Sequence, residues 1–502
     1  MKTVFIAARY TRPAAPERAI TAASAGYCGV VPPLVIRTHA SGGDFGRLRA
    51  EFALPESFGP DVLAEAEAAV LDPLASAGGR EDATALPFVT IDPPGSKDLD
   101  QAMLLERTAG GFRVHYAIAD LAAFVPPGGA LDHEARRRGQ TLYLPDGNVP
   151  LHPPVLSEGA ASLLPGEVRP AVLWTIDVGE DGELAATRVR RALVRSVEQL
   201  DYEGVQAALD AGRPHPSVAV LPELGRLRRE LAVRRGALEL QLPEQEITGD
   251  ADGGWVLDRR PRTVVDAWNA EISLLTGMAA AQIMLEAGVG VLRTLPPADA
   301  GSVEWLRRSA AAAGLGWPAE QSVSEFLSAL DPGQPVSMAM YADTTRLLRG
   351  AGYTAFDGAL PEVATHAGIG GPYAHVTAPI RRLVDRFAAE VCLAVTAGRE
   401  VPQWVREALA EVPGHMSVSD GLAARVERAC IDQVEAWVLA EHVGQEFTAV
   451  VLRAEETRAE ILLENPPVMA KCAGERFPEG ERIAVRLTEV DVEHRKVSFE
   501  RV

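Results

Sequence analysis

The 502-residue sequence predicts an α+β protein that ends in a small, separate β-barrel, and three observations carry that prediction. Residues from Leu86 to Val178 mix apolar strand patterns with a short charged helix. From Ser196 to about Val395 helical periodicity dominates. After Gly444 the pattern turns to four or five short alternating strands, punctuated by Asn465-Pro466-Pro467 and Glu479-Gly480. That spacing suits a Greek-key barrel of the OB type, a fold that binds single strands on its face.

Taken in order, the first 45 residues are Ala-, Gly- and Pro-rich without sustained periodicity. A small substructure, an extension and a start codon placed too early all remain open for them. Two helical patterns follow between Gly46 and Val70, the second opening at Pro60-Asp61 and stopped by Pro73, because proline suits a first helical turn and breaks a later one. A polar link, Ser76 to Thr84, leads into a strand over Leu86–Ile91. Further strands are expected at Phe112–Ile118, Leu142–Leu144 and Ala171–Val178, and a short helix at Leu131–Gly139. Helices are predicted over 218–235, 264–287, 303–313, 322–330, 337–348 and 380–396. A last amphipathic helix spans 419–442, with Leu422, Val426, Ala429, Cys430, Gln433 and Trp437 along one face. Barrel strands are placed at 447–452, 458–463, 482–490 and 496–499. The domains are therefore drawn at 1–84, 85–443 and 444–502.

Composition narrows the function classes. No run approaches the ~18 apolar residues of a membrane span, and the Val4–Ala8 stretch is too short for a secretory leader. The four cysteines (Cys28, Cys392, Cys430, Cys472) lie far apart, which excludes a zinc-site spacing and points to a reducing cytoplasm. A net charge of −20 disfavours a generally basic surface. Arginines nevertheless cluster at 136–138, 190–191, 228–229, 234–235 and 381–382, so a locally basic channel stays open. Most such pairs in proteins are solvated helix faces.

The run Thr90-Ile91-Asp92-Pro93-Pro94-Gly95-Ser96-Lys97-Asp98-Leu99-Asp100-Gln101-Ala102 carries the chemistry. Pro93-Pro94-Gly95 forces a turn, so the chain can fold back and gather Asp92, Asp98 and Asp100. Gathered carboxylates repel, and a hard cation such as magnesium, or manganese, is the usual remedy. By pattern alone, a solvated acidic loop is the competing explanation.

The stretch resembles the I-D-x5-D-x-D-D signature of the RNase II/RNB family. The match runs on through Val114–Asp120, Pro127–Asp132, Ala135–Gly139, Tyr143-Leu144-Pro145, Val149–Ser157 and Ala161-Ser162-Leu163. Far downstream it resumes with His366–Gly370 and with Tyr373 leading into Thr377-Ala378-Pro379-Ile380-Arg381-Arg382. The resemblance covers about residues 85 to 400. It implies a catalytic domain whose sheet is wrapped by helices, and a metal-dependent exoribonuclease that releases nucleoside 5′-monophosphates from the 3′ end of single-stranded RNA. It also implies roles: Asp92, Asp98 and Asp100 bind metal and organise water, with Gln101 in the position of a fourth acidic ligand. Arg381 contacts the scissile phosphate, Tyr143 stacks on the terminal base, Arg382 touches backbone phosphate and Glu271 lies near the terminal ribose. A monomer working on single-stranded RNA, with no membrane, is the expectation, and no protein partner can be inferred.

Four departures qualify that reading. Gln101 is neutral where the family is acidic, so an RNA 3′-end binding protein that cuts weakly or not at all is the rival class; a phosphatase using Asp98-x-Asp100 is a remoter one. Leu383 follows Arg382 where a tyrosine is common, and the stretch after Pro261 carries only Ala270-Glu271 and Thr276-Gly277 of the usual pattern. Leu240 stands where an aromatic partner for the base is often found. Finally, residues 1–84 read as helical or irregular instead of as two cold-shock barrels, which predicts a more open entrance and a shorter single-stranded overhang.

Overall fold

The computed structural model describes residues 43–71, 79–240, 244–249, 254–260 and 263–502. The expectations for residues 1–42, for Cys28 and for Pro73 lie outside the described residues.

Five strands form the heart of the larger unit: β1 (Phe88–Ile91), β2 (Gln101–Thr108), β3 (Gly111–Ala119), β4 (Val168–Gly179) and β5 (Leu184–Leu200). Neighbours in sequence from β1 to β5 pair antiparallel, and the end of β5 returns to pair parallel with β1, so the sheet closes on itself. A two-residue strand, Glu81–Asp82, adds to β5. Side chains alternate across each strand. Val114, Tyr116 and Ile118 of β3 and Trp174 and Ile176 of β4 pack into one cluster, while Ala117, Ala119, Ala171 and Leu173 pack into another. Both faces are thus covered, which explains why these strands read as continuous apolar runs.

Helices supply the cover. Helix α1 (Val264–Ala287) starts at a capping box between Thr263 and Asp266 and stops at the left-handed Gly288. Its Val265, Ile272, Leu275 and Ala279 join the first cluster, beside Leu383, Val384 and Phe387 of α2 (Leu383–Thr396). Gly277 lets α1 approach the 373–374 segment closely: a Cβ there would lie 2.2 Å from the Tyr373 ring and 2.6 Å from the Ala374 carbonyl oxygen. Helix α3 (Val412–Leu439) joins the two parts of the molecule, since its Val426, Ala429, Cys430 and Val434 share a core with the C-terminal barrel.

That barrel closes five strands, Glu446–Ala454, Arg458–Leu463, Met469–Ala473, Arg482–Asp491 and Lys496–Arg501. The same core takes in Phe45, Leu48, Leu142 and Leu144. Leu142 and Leu144 belong to a short hairpin (Leu142–Leu144 with Gly147–Val149), and Tyr143 between them packs partly buried against the same core while lining the cleft. Among the described residues ahead of β1 there are two helices, Gly46–Glu51 and Pro60–Leu71, and no barrel.

Local differences from the sequence reading have local causes. The helix expected from Ile380 begins at Leu383, because residues 377–382 form a turn held against the 139–141 segment: Thr141 donates to the Arg381 carbonyl at 3.0 Å and Leu383 to that of Gly139 at 3.0 Å. Helix α3 begins at Val412, seven residues before the expected Ser419, with Pro413 tolerated in its first turn. β2 and β5 went unassigned. β5 is Arg-rich on its outer positions, so its alternation was masked by charge.

Candidate active site

A cleft of about 1550 Å³ opens between the closed sheet, α1, α3 and the 377–382 turn. Asp92, Asp98, Asp100, Gln101, Tyr143, Glu271, Arg381 and Arg382 all line it. The structure therefore gathers in one place the eight candidate site residues named from sequence.

The acidic loop leaves β1 at Asp92 and returns at β2. Gly95 takes a φ of +86°, Ser96 bonds back to the Pro93 carbonyl from its amide (3.1 Å) and its hydroxyl (2.8 Å), and Gln199 donates to the Ser96 carbonyl at 2.9 Å. Ser162 clamps the other limb: its hydroxyl donates to the Lys97 carbonyl at 2.6 Å and accepts from the Leu99 amide at 2.9 Å. These bonds fix the loop without using the aspartate carboxylates.

Asp100 is 4% exposed. Its Oδ1 accepts from the Ile380 amide at 2.7 Å and its Oδ2 lies 3.5 Å from Arg381 Nε. Burial pushes its carboxyl well above the usual range, opposed by Arg381 and by the Ile380 amide. Burial likewise pushes Asp92 up to about 7, with Arg381 pulling down and the Asp98 carboxylate pushing further up. Asp98 accepts from the Tyr143 hydroxyl at 2.8 Å. Gln101 donates from Nε2 to the Thr377 carbonyl at 2.7 Å, and its Oε1 accepts from the Tyr116 hydroxyl and lies 3.2 Å from Ser273 Oγ.

The arginine pair divides. The Arg381 side chain is 42% exposed to the cleft, whereas Arg382 forks onto Asp385, with Nη2 to Oδ1 at 2.8 Å. Asp385 is fully buried and also accepts from the Ala378 amide at 2.7 Å, so Arg382 anchors the turn that presents Arg381. Glu271 is buried, 3.9 Å from Arg228 Nε, and burial raises its carboxyl pKa. Leu240 packs into a separate apolar cluster, and it is Leu238 that lines the cleft.

Sequence reasoning missed a second group on the wall. Arg293 pairs with Asp420 at 2.9 Å and stacks over the Tyr353 ring at 4.5 Å; the Tyr353 hydroxyl meets His375 Nδ1 at 2.8 Å. His375 lies inside the Tyr373–Arg382 block and was the available signal. Arg293 and Tyr353 face each other on the paired strands Val289–Thr294 and Gly352–Asp357, which were not assigned from sequence.

Chemically, Asp92, Asp98 and Asp100 offer hard oxygens, and burial raises the carboxyl pKa of Asp92 and Asp100 in the absence of a cation. Among the described residues, no three His, Cys, Asp or Glu side chains already stand around one point in metal-holding geometry. The carboxylates and Arg381 would instead have to close on a cation and an anionic substrate together.

Comparison with known proteins places this arrangement. Residues 445–502 match the C-terminal S1 domain of RNase II-type exonucleases. Ribonuclease R of Chlamydia trachomatis is 25% identical over 469 residues, covering 91% of this chain and 65% of that protein. Ribonuclease R of Escherichia coli is 26% identical over 471 residues, covering 84% of this chain and 57% of that protein, so the chain spans less than two thirds of either relative. Among solved structures, the apo form of Mycoplasma genitalium RNase R superposes with a TM-score of 0.81 at 19% identity, covering 91% of this chain and 77% of that one. Yeast Ssd1, described as a pseudonuclease, gives 0.67 at 16% identity over 82% and 53%. The RNB domain family itself matches residues 80–395, well over half of the sequence and the whole of the cleft's acidic loop and arginine turn, and the chain belongs to that family.

Proposed function

We propose that this protein is a 3′-to-5′ exoribonuclease that hydrolyses single-stranded RNA to nucleoside 5′-monophosphates with magnesium, or manganese in its place. The observation that carries the proposal is the Asp100–Arg381 pair on the floor of the cleft, a buried carboxylate beside an exposed guanidinium. Asp92, Asp98 and Asp100 would hold the cation, which supplies polarisation of a phosphoryl oxygen and a lowered pKa for a bound water. Arg381 is free to give two parallel N–H bonds to the non-bridging phosphate oxygens as charge grows on them. Tyr143 stands at the cleft with its hydroxyl fixed by Asp98, which orients its ring for a terminal base. The related structures support the substrate class, since Mycoplasma genitalium RNase R is described in complexes with ribose-methylated single-stranded RNA and with double-stranded RNA. A reducing cytoplasm fits the buried free thiols Cys392, Cys430 and Cys472, and no helix among the described residues is long and apolar enough to cross a membrane.

A second reading, RNA 3′-end binding with little or no cleavage, is favoured by Gln101 and by the likeness to a pseudonuclease. One experiment separates the two. 5′-Labelled single-stranded RNA is incubated with the protein and magnesium or manganese, beside Asp100→Asn. Progressive shortening that the substitution abolishes supports the enzyme. Binding without shortening in either protein supports the scaffold, and would end the exoribonuclease proposal.

A further inference from the structure

We infer that Gln101 is a positioning residue that fixes the Thr377–Arg381 turn, the backbone from which the Arg381 guanidinium reaches into the cleft, and that it is not a cation ligand. The inference rests on the proposal above that Asp92, Asp98 and Asp100 hold the cation.

A side-chain amide has two N–H donors and one oxygen with two lone pairs, and only that oxygen can ligate a cation. At Gln101 the oxygen faces two hydroxyls, Tyr116 and Ser273, while the nitrogen donates to the Thr377 carbonyl at 2.7 Å. Tyr116 is fully buried in β3, and burial pushes its phenol far above the ordinary value, so it keeps its proton and donates it. The Thr377 carbonyl has no proton to give, so the amide cannot be turned round without setting oxygen against oxygen. Turning Oε1 towards a cation would take the donor from Thr377 and leave the buried Tyr116 hydroxyl with Ser273 Oγ, at 2.9 Å, in place of the amide oxygen.

What the amide does instead is join three elements. Tyr116 belongs to β3, Ser273 to α1 and Thr377 to the turn before α2. One residue earlier, Asp100 grips the same turn at the Ile380 amide. Two successive side chains, at the end of the acidic loop and the first position of β2, therefore hold both ends of the segment that carries Arg381. An acidic residue could not make the bond to Thr377, because an ionised carboxylate only accepts. The exchange of an acid for an amide at this position is thus a gain of a donor as well as the loss of a charge.

Gln101→Glu is the discriminating variant, being nearly isosteric and adding the charge a cation would welcome. Mn²⁺ affinity is measured by paramagnetic resonance on the full-length protein, and amide exchange of the 377–382 segment by mass spectrometry on the metal-free protein. The expected result is Mn²⁺ affinity within about threefold of the parent and exchange of that segment at least about tenfold faster. Gln101→Ala, which removes both functions, serves if the glutamate variant does not fold, with the same exchange result and unchanged Mn²⁺ affinity expected. Mn²⁺ binding about tenfold or more tighter in Gln101→Glu, or weaker to that degree in Gln101→Ala, with unchanged exchange would overturn the inference. A parent that binds no Mn²⁺ defeats the cation reading alone, and the exchange result then decides the role of Gln101 by itself. In an active enzyme, positioning through Arg381 also predicts that Gln101→Ala costs little further kcat once Arg381 is already alanine; fully additive losses would contradict it.

Discussion

Asp100 and Arg381 face one another at the base of the cleft with Oδ2 3.5 Å from Nε, a separation too long for a hydrogen bond and short enough for strong attraction. The other oxygen of the same carboxylate is tied at 2.7 Å to the amide of Ile380, one residue before the arginine. The acid is thereby fixed by backbone while the guanidinium stays loose, 42% exposed, and able to swing to an incoming phosphate. The proposed roles, a carboxylate that serves a cation and an arginine that serves a developing charge, would use this division of rigidity.

Arg381→Lys should therefore lower kcat by about 10²-fold, since an ammonium is a point charge without the fork that spans two phosphate oxygens. Because the side chain makes no short bond and is half open, melting temperature should move little. Single-turnover cleavage of labelled RNA, with thermal denaturation in parallel, checks both halves; a drop in melting temperature that accounts for the lost rate would contradict the assignment.

Tyr143 has two separable functions in the proposed mechanism, and two substitutions divide them. Tyr143→Phe keeps the ring and deletes the hydroxyl that donates to Asp98 at 2.8 Å, so RNA affinity should persist while metal dependence changes. Tyr143→Ala deletes the ring as well and should weaken binding of a 3′-terminal nucleotide by the ~1–3 kcal/mol of a base stack. Equal RNA binding by the phenylalanine and alanine variants, measured by fluorescence anisotropy in calcium, would remove stacking from the account.

Much of this site was legible in sequence because its parts sit in two short segments whose order carries meaning. Asp92, Asp98 and Asp100 could be gathered by a turn that Pro93-Pro94-Gly95 spells out, and Arg381 stood in a second block. What the sequence could not convey was how the partners divide. Nothing in the adjacent letters of Arg381 and Arg382 says that the second is spent on Asp385 while the first is left open. Likewise Gln101 read as a weakened ligand, because its partners Tyr116, Ser273 and Thr377 come from three distant elements. In the fold, the apolar periods of α1 and of the C-terminal strands were readable. β5 was not, since arginines at 188, 190, 191 and 195 hide its alternation behind ion pairs such as Arg191 with Glu390.

The acidic loop should make the metal-free protein less stable as pH rises. The Asp92 carboxyl is pushed from 3.8 up to about 7 by burial, with Asp98 adding to the effect against Arg381. Between these values the folded chain holds a proton that the unfolded chain has released, so unfolding releases it and stability falls as pH climbs from about 4 to about 7. The group's contribution is complete below about pH 4 and gone above about pH 7. In chelator, melting temperature should decline across that window, and Asp92→Asn should flatten the decline. Magnesium should restore stability near pH 8 and do little near pH 5, where protons compete for the same oxygens. A magnesium effect of equal size at both ends would sink this reading.

The Arg382–Asp385 pair gives the sharpest stability test. Asp385 is fully buried and holds both the Arg382 guanidinium, at 2.8 Å, and the Ala378 amide, at 2.7 Å. Asp385→Ala strands a largely buried charge and an amide at once, which should cost about 3 kcal/mol, the lower end for a broken buried pair because Arg382 keeps 19% exposure. Removing both charges in Arg382→Met/Asp385→Leu should cost less than Asp385→Ala alone, since no ion is left without a partner. Urea denaturation of the three proteins measures this directly. Cleavage should fall in both variants all the same, because either change frees the turn that aims Arg381. A double variant less stable than Asp385→Ala would mean that the pair is held for packing at this turn and not for its charge.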